Sequence, residues 1–309
     1  MTAIWLPAAL MGGLFQAWRT AIQQRLRAEL TVSGAGLVRY AYGAPVAVAL
    51  LAAYVAWRGE ALPGVSAHFW PLAAAGGLAQ ILGTNALIAA FGHRGFVVGT
   101  AFSKTEALQA ALVSFVLLGE RLGWLVWAGI GVGVAGVTVL GTANKGPDSH
   151  GGWRGLVASL TQRGALLGLA SGGLFALTGV LVKLATQQLA TPDRVLAALV
   201  ALVVVMAMQT AMHGSWVAWR EPPTWRAVWA SRRKSAQVGL LAALGSACWF
   251  TGFATAPVAL VRVVGQVEVF ATLGFGHFYL REPLRLREAG GLLLVGAGVA
   301  LALVGSLGH

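Results

Sequence analysis

Charge is what this sequence has least of. Only 10% of its 309 residues are Asp, Glu, Lys or Arg, and ten of those are acidic. A soluble domain carries roughly a quarter charged residues, so this chain could not cover a water-facing surface. Cysteine is nearly absent: Cys248 stands alone in an apolar run. That excludes a disulfide framework and any cysteine-based zinc site, and leaves Cys248 as a small core residue. The six histidines show no HExxH spacing, so no metal is expected. No GxxxxGK[ST] loop occurs, so direct ATP hydrolysis is not expected. The only aspartates are Asp148 and Asp193. A membrane-embedded enzyme would need clustered Asp, His or Ser at one membrane face, and none is visible. No cofactor is expected. The alternation of an outer-membrane barrel is also missing.

What is present is hydrophobicity in blocks. Hydrophobic residues make up 57% of the chain and mean hydropathy is +0.74. The blocks reach the roughly 20 residues that a bilayer requires. They fall at 4–22, 33–57, 69–91, 96–118, 124–142, 165–184, 194–213, 238–255, 258–280 and 288–304. Backbone polar groups must be satisfied within lipid, so each block should be a helix. The expectation is an all-α integral membrane protein of ten transmembrane helices. No positive segment precedes the first block, which is therefore read as a retained helix and not a signal peptide.

The polar stretch 144–163 is the one linker-like segment, and it divides the chain near its middle. A shift of 162 residues places Gly77 on Gly239, Gly83 on Gly245, Phe91 on Phe253, Glu106 on Glu268, Glu120 on Glu282 and Gly129 on Gly291. A shift of 160 places Gly12-Gly13-Leu14-Phe15 on Gly172-Gly173-Leu174-Phe175, and one of 155 places Arg39 on Arg194. Glycine matches alone are weak among 42 glycines, but two acidic matches at one shift are not. The expected organisation is a first five-helix repeat at 1–143, a linker loop at 144–163 and a second five-helix repeat at 164–309. Five spans per repeat is odd, so the second repeat should sit inverted, an arrangement in which transporters bind substrate near the midplane. Gly129 and Gly133 form a GxxxG in the fifth span, with Gly131 and Gly136 beside them, a signal for close helix packing.

The segment Lys104-Thr105-Glu106-Ala107-Leu108, followed by Leu118-Gly119-Glu120-Arg121-Leu122, Gly129 and Gly136-Val137, resembles the end of an EamA domain. The second copy is Gln266-Val267-Glu268-Val269, then Leu280-Arg281-Glu282-Pro283-Leu284, Gly291 and Gly298-Val299. Arg39 and Arg194 resemble the arginine that opens the second helix of each such domain. The resemblance implies a carrier of the drug/metabolite transporter superfamily, mostly exporters of amino acids, metabolites or drugs. Two departures stand out. The family's proline after the midplane glutamate is replaced by Ala107 and Val269, which puts its kink in doubt. Lys104 beside the glutamate is unusual for the family.

An ionisable residue deep in lipid costs at least ~2.5–3.5 kcal/mol, so it faces a partner or a wet cavity. Glu106 and Glu268 fall mid-span, with Lys104 near the same level. On a regular helix, positions i and i+2 do not share a face, so Lys104 and Glu106 should point apart. Two readings stay open. In one, Glu106, Glu268, Lys104 and Gln266 line a central site for a proton or substrate. In the other, the acids form structural ion pairs, Glu106 with Arg39 or Glu268 with Arg262. Further cavity candidates are Arg39, Gln16, Trp18, Tyr42, Asn85 and Trp249, where aromatics could cage an organic cation. Glu120 and Glu282, at span ends, read as turn-stabilising groups paired with Arg121, Arg285 or Arg287.

The net charge of +12 does not point to nucleic acid, because the cations sit in short loops as topology determinants. Most fall in odd-numbered loops, among them Arg19, Arg25, Arg27, Arg232, Arg233 and Lys234, against Arg58, Arg121 and Arg194 in even-numbered ones. The charge bias puts both termini outside the cell; the family resemblance implies both inside. Few prolines in the spans favour rigid-body rocking over hinging at kinks. The partners expected are the lipid bilayer of the inner membrane, a small-molecule substrate (a zwitterion like an amino acid, or an organic cation or drug) and no nucleic acid, with a homodimer compatible with all of this. The function expected is secondary transport, with a flippase subunit for a lipid-linked metabolite and a membrane-embedded enzyme as alternatives.

Overall fold

The structure, a computed structural model, describes residues 4–94, 102–142, 162–281 and 286–307. Apart from one two-residue strand pair, the regular elements among them are helices. Chain order gives α1 (Trp5–Leu26), α2 (Val32–Ala41), α3 (Gly43–Arg58), α4 (Phe69–Arg94), α5 (Glu106–Leu118), α6 (Trp124–Thr142) and α7 (Arg163–Thr186). Then follow α8 (Arg194–Arg220), α9 (Pro222–Ala230), α10 (Arg232–Thr255), α11 (Val258–Gly265), α12 (Glu268–Gly274), a π-turn (Phe275–Tyr279) and α13 (Leu286–Leu307). Six stretches are long and apolar enough to cross a membrane: Val32–Arg58, Phe69–Gly92, Arg163–Thr186, Arg194–Arg220, Arg232–Thr255 and Val258–Tyr279. Shorter apolar helices lie at Glu106–Leu118, Trp124–Gly136 and Leu293–Gly305. The protein is thus an all-helical, multi-pass membrane protein.

Several boundaries differ from the sequence expectation, each for a local reason. The second span bends at Tyr42 into α2 and α3. The seventh runs on to Arg220, and the segment beyond it is not simple loop. Pro222, whose missing N–H is no loss in a first turn, opens the short helix α9. The eighth span begins at Arg232, its Arg232-Arg233-Lys234 turn continuing the helix beyond the apolar run. The polar segment 144–161, Asp148 and the side chains of Glu282, Arg285 and Arg287 lie outside the described residues.

Helix contacts follow a consistent pattern. α1 packs along α10 and touches α11 and α12. α4 packs along α7, which also touches α5. α8 contacts α2 and α3, and α6 pairs along its length with α13. The last pairing rests on glycine. A Cβ on Gly129 would lie 2.5 Å from the Gly298 carbonyl, and one on Gly136 would lie 2.6 Å from that of Gly291. Backbones this close allow dispersion contact that no larger residue permits.

The loops at each end are tied by single acids. At one face, strand Gly64–Val65 pairs antiparallel with Leu189–Ala190. Beside it, Asp193 caps α8 by accepting from the N–H of Val195 (2.8 Å) and Leu196 (3.0 Å), and takes the Tyr54 hydroxyl at 2.8 Å. At the other face, Glu221 accepts from Thr31 (2.7 Å), Ser33 (3.0 Å) and Thr224 (3.1 Å). Burial works against the charge on each acid. For Asp193 the Leu196 N–H, the Tyr54 hydroxyl, the Val195 N–H and Arg58 outweigh it; for Glu221 the three hydroxyls and His213 do. Both carboxyls are therefore held below the ordinary carboxylate range.

Two outcomes follow from this packing. Gly129→Val should destabilise by about 1–3 kcal/mol, as overpacking does, while Gly131→Ala, whose Cβ meets nothing within 4 Å, should be neutral; melting in detergent separates them. Folded-state carboxyl pKa values below the unfolded ones mean stabilisation that is complete above the unfolded value and lost as pH falls through the folded one. Amide protection factors, which take out the intrinsic pH dependence of exchange, should therefore fall around residues 187–193 and 221–231 only at acid pH, and Glu221→Gln should remove that acid step from the second segment.

Candidate functional site

Two helices break at matching places. Residues 102–103 are helical, Lys104-Thr105 form a turn, and α5 resumes at Glu106. Likewise α11 ends at Gly265, Gln266-Val267 form a turn, and α12 resumes at Glu268. The two turns are one 162-residue shift apart. At both, hydrogen bonds tighten to the three-residue type: Ala107 N to Lys104 O, Leu108 N to Thr105 O, Val269 N to Gln266 O and Phe270 N to Val267 O. Short 3₁₀ pieces inside a helix commonly mark hinges. Neither break needs the family's proline.

Each break is seated on a glycine pair from the other half of the chain. On α1, a Cβ at Gly13 would lie 2.9 Å from the Gly265 carbonyl and 3.0 Å from Glu268 Cβ. On α7, a Cβ at Gly172 would lie 2.8 Å from the Ser103 carbonyl and 3.2 Å from Glu106 N. The repeated Gly-Gly-Leu-Phe therefore admits the irregular backbone of the opposite half.

The breaks carry charge to one place. Lys104 Nζ forms an ion pair with Glu268, and Arg262 Nε lies 2.6 Å from Glu106 Oε1. The second contact is close enough for an ion pair but not aligned for a hydrogen bond, since both atoms lack one. Gln16 donates to both oxygens of Glu268, at 3.1 and 3.3 Å, and Gln266 Nε2 donates to the Lys104 carbonyl at 3.1 Å. The Arg262 guanidinium sits over the rings of Trp249 and Phe253, 4.6 and 4.7 Å from their centroids, and donates to the Phe175 carbonyl at 3.1 Å. Lys104, Glu106, Arg262 and Glu268 are 3–7% exposed. Between them lies a cavity of about 10 Å³, also lined by Trp249, Gly265 and Gln266. That is room for about one water.

The ion pairs differ from those considered from sequence. Glu106 pairs with Arg262 and not Arg39; Glu268 pairs with Lys104 and not Arg262. Lys104 and Glu106 do reach the same cavity, because the turn between them breaks the face rule of a regular helix. Glu120 meets Lys183 Nζ at 2.5 Å and accepts the Val258 N–H at 3.1 Å, so it anchors the start of α11 and does not engage Arg121.

The other candidates lie elsewhere. Arg39 donates to Thr84 (2.8 Å) and Ser246 (3.4 Å). Asn85 contacts His213 at 3.4 Å in a separate polar cluster. Tyr42 reaches the Val228 carbonyl at 3.4 Å, at the α2–α3 bend. Trp18 is 46% exposed and stacks on Phe275 at the outer surface of the bundle. Sequence reasoning missed Arg19, which it counted with a loop. Arg19 is buried within α1, and its spacing of three residues from Gln16, one helical turn, was the available signal.

The ion pairs can be weighed directly. Lys104→Met strands Glu268 in the core and should cost about 3–5 kcal/mol, whereas Lys104→Met with Glu268→Met should recover most of that; a double-mutant cycle on thermal unfolding measures the coupling.

Comparison with known proteins completes the description. No curated protein matches the sequence. A chain of known crystal structure superposes with a TM-score of 0.64 at 20% identity, covering 96% of this chain and 98% of that one, which establishes a shared fold. Residues 162–304 match the EamA-like transporter family. The second half of this chain thus matches a family of membrane transporters, in keeping with the long apolar helices described above.

Proposed function

We propose that the protein is a ten-span secondary carrier, built from inverted five-helix repeats at 1–143 and 164–309, that exports a small metabolite by alternating access. The observation that carries this reading is the pair of broken helices at matching positions, cross-linked by charge. Discontinuous helices at the repeat interface are where carriers of inverted-repeat architecture place their sites. The six long apolar stretches, the three shorter ones and α1 support a count of ten spans.

The contacts support the repeat. In span order, α1 on α10 is first on eighth, and α4 on α7 is third on sixth; each is the other's image when the two halves are exchanged. The pairing of α6 with α13, fifth on tenth, maps onto itself, as does that of α2 and α3 with α8. The loop bias in Lys and Arg puts odd-numbered loops in the cytoplasm and both termini outside. A larger cavity of about 670 Å³, reached by Tyr54, Trp57, Arg58 and Asp193, then forms a vestibule on the outer face.

Glu106 and Glu268 are the proton-exchanging groups of this carrier. A proton on either acid releases its cation, loosening one link across the seam, so protonation and opening are linked. In proteoliposomes with an imposed pH gradient, screened over amino acids and small organic ions, uptake should depend on the gradient. Glu106→Gln and Glu268→Gln should each lower the rate at least about tenfold and flatten its pH profile. Folded variants with unaltered rate and profile would refute the coupling role.

A further inference from the structure

The buried charges of the spans do not balance. Among the described residues, the buried ionised side chains within helical spans or their breaks are four cations, Arg19, Arg39, Lys104 and Arg262, and two acids, Glu106 and Glu268. Lys104 and Arg262 take the two acids. The remaining acids whose side chains are described are engaged at the faces: Glu29 with Lys234, Glu60 with Arg58, Glu120 with Lys183, Asp193 with Tyr54, and Glu221 with Thr31 and Ser33. Among the described side chains, Arg19 and Arg39 have no carboxylate at contact distance.

Their geometry is that of vacant donors. Arg39 donates only to the neutral hydroxyls of Thr84 and Ser246, its guanidinium lies 5.5 Å from the centroid of the Tyr40 ring, and its Nε has no hydrogen-bond partner. Arg19 Nε and Nη2 have none. Both residues are 2–3% exposed, and each lies in the field of another arginine: Arg19 feels Arg39, with the Glu268 carboxylate, already paired to Lys104, acting in the opposite sense, and Arg39 feels Arg262. Neither lines the central cavity, but each is linked to residues around it. Arg19 is one turn along α1 from Gln16, which holds Glu268, and Ser246 is one turn along α10 from the cavity residue Trp249. Two like charges in a low-dielectric core are stable together only with a counter-ion, and a guanidinium fork matches carboxylate and phosphate oxygens in pairs.

We propose that Arg19 and Arg39 bind an anionic group, carboxylate or phosphate, of a net-negative metabolite that this carrier moves. The proposal rests on the carrier reading above and deepens it. It replaces the zwitterion or organic cation expected from the glutamates, because both glutamates are already neutralised by Lys104 and Arg262.

The test uses the full chain in lipid nanodiscs for binding and in proteoliposomes for uptake. The probes are succinate, glycerol 3-phosphate and inorganic phosphate, with tetraethylammonium as the cation. At least one anion should bind and raise the melting temperature, and tetraethylammonium should do neither. Arg19→Gln and Arg39→Gln should each weaken anion binding about tenfold or more, Arg39→Lys by less, and Arg121→Gln, at an exposed loop, not at all. No response to any anion, stabilisation by tetraethylammonium, or unweakened binding in folded Arg39→Gln protein would each overturn the proposal. The wild-type comparison of anion with cation needs no variant, so a misfolded mutant leaves the test intact. Anion binding without uptake removes the carrier reading and keeps the site; uptake of tetraethylammonium with the anions inert does the reverse.

Discussion

A carboxylate in the middle of a hydrocarbon layer must have a cation at contact distance, and Glu106 and Glu268 each find theirs in the opposite half of the chain. Lys104, from the first half, meets Glu268 in the second; Arg262, from the second, meets Glu106 in the first. Each half thus supplies one acid and one base to a common ring of charge. Removing any member leaves a partner stranded where water is scarce, and that is the expensive way to disturb a buried pair. Because Lys104 and Glu106 stand two positions apart, a continuous helix could not bring both to the ring. The turn at Lys104-Thr105 is therefore a condition of the pairing, and the turn at Gln266-Val267 is its counterpart.

An irregular backbone inside a membrane survives only where protein covers it. Here the cover is Gly13 over the second break and Gly172 over the first. Any side chain at either position would push the break away from its seat. The same economy of volume recurs where α6 meets α13, with Gly129, Gly136 and Gly298 in backbone contact. Glycine is abundant in this sequence, but at these positions its use is specific: it lets one half of the chain close upon the other.

Much of this was legible in the sequence and some was not, for identifiable reasons. Hydrophobic blocks of bilayer length gave the helices, since lipid permits little else, and the rarity of acids made Glu106 and Glu268 stand out. Gln16, Lys104, Gln266 and Trp249 meet around those acids in the structure. The breaks escaped notice because they involve no proline. They lie at Lys104-Thr105 and Gln266-Val267, residues with no strong helix-ending tendency, and arise from tertiary seating on glycine. The ion-pair partners were misjudged because contacts between halves depend on how the repeats interlock, which periodicity does not encode. Arg19 was missed because an arginine near the end of an apolar run looks like a loop anchor until the helix is seen to continue to Leu26. Trp18, its neighbour, was drawn into the candidate site by type alone; one residue is about a quarter of a helical turn, enough to carry it to the outer surface.

The interlocking of the halves also bears on what moves. A rocking motion of residues 1–143 against 164–309 would require separable halves, and these are not separable. α1 lies against α10, α11 and α12, while α7 lies against α4 and α5. The compact bodies are therefore mixed bundles, one built around α1, α10, α11 and α12 and the other around α4, α5 and α7. The two ion pairs run between these bundles and hold them together where the cavity now admits about one water. Parting the bundles on either side must loosen that latch, and four separated charges would be intolerable without replacement partners. In the proposed carrier, opening and the entry of water, protons or an anionic ligand are then one event, with the tightened turns at 104–105 and 266–267 as the places where the backbone can give without disturbing the long, continuous helices around them.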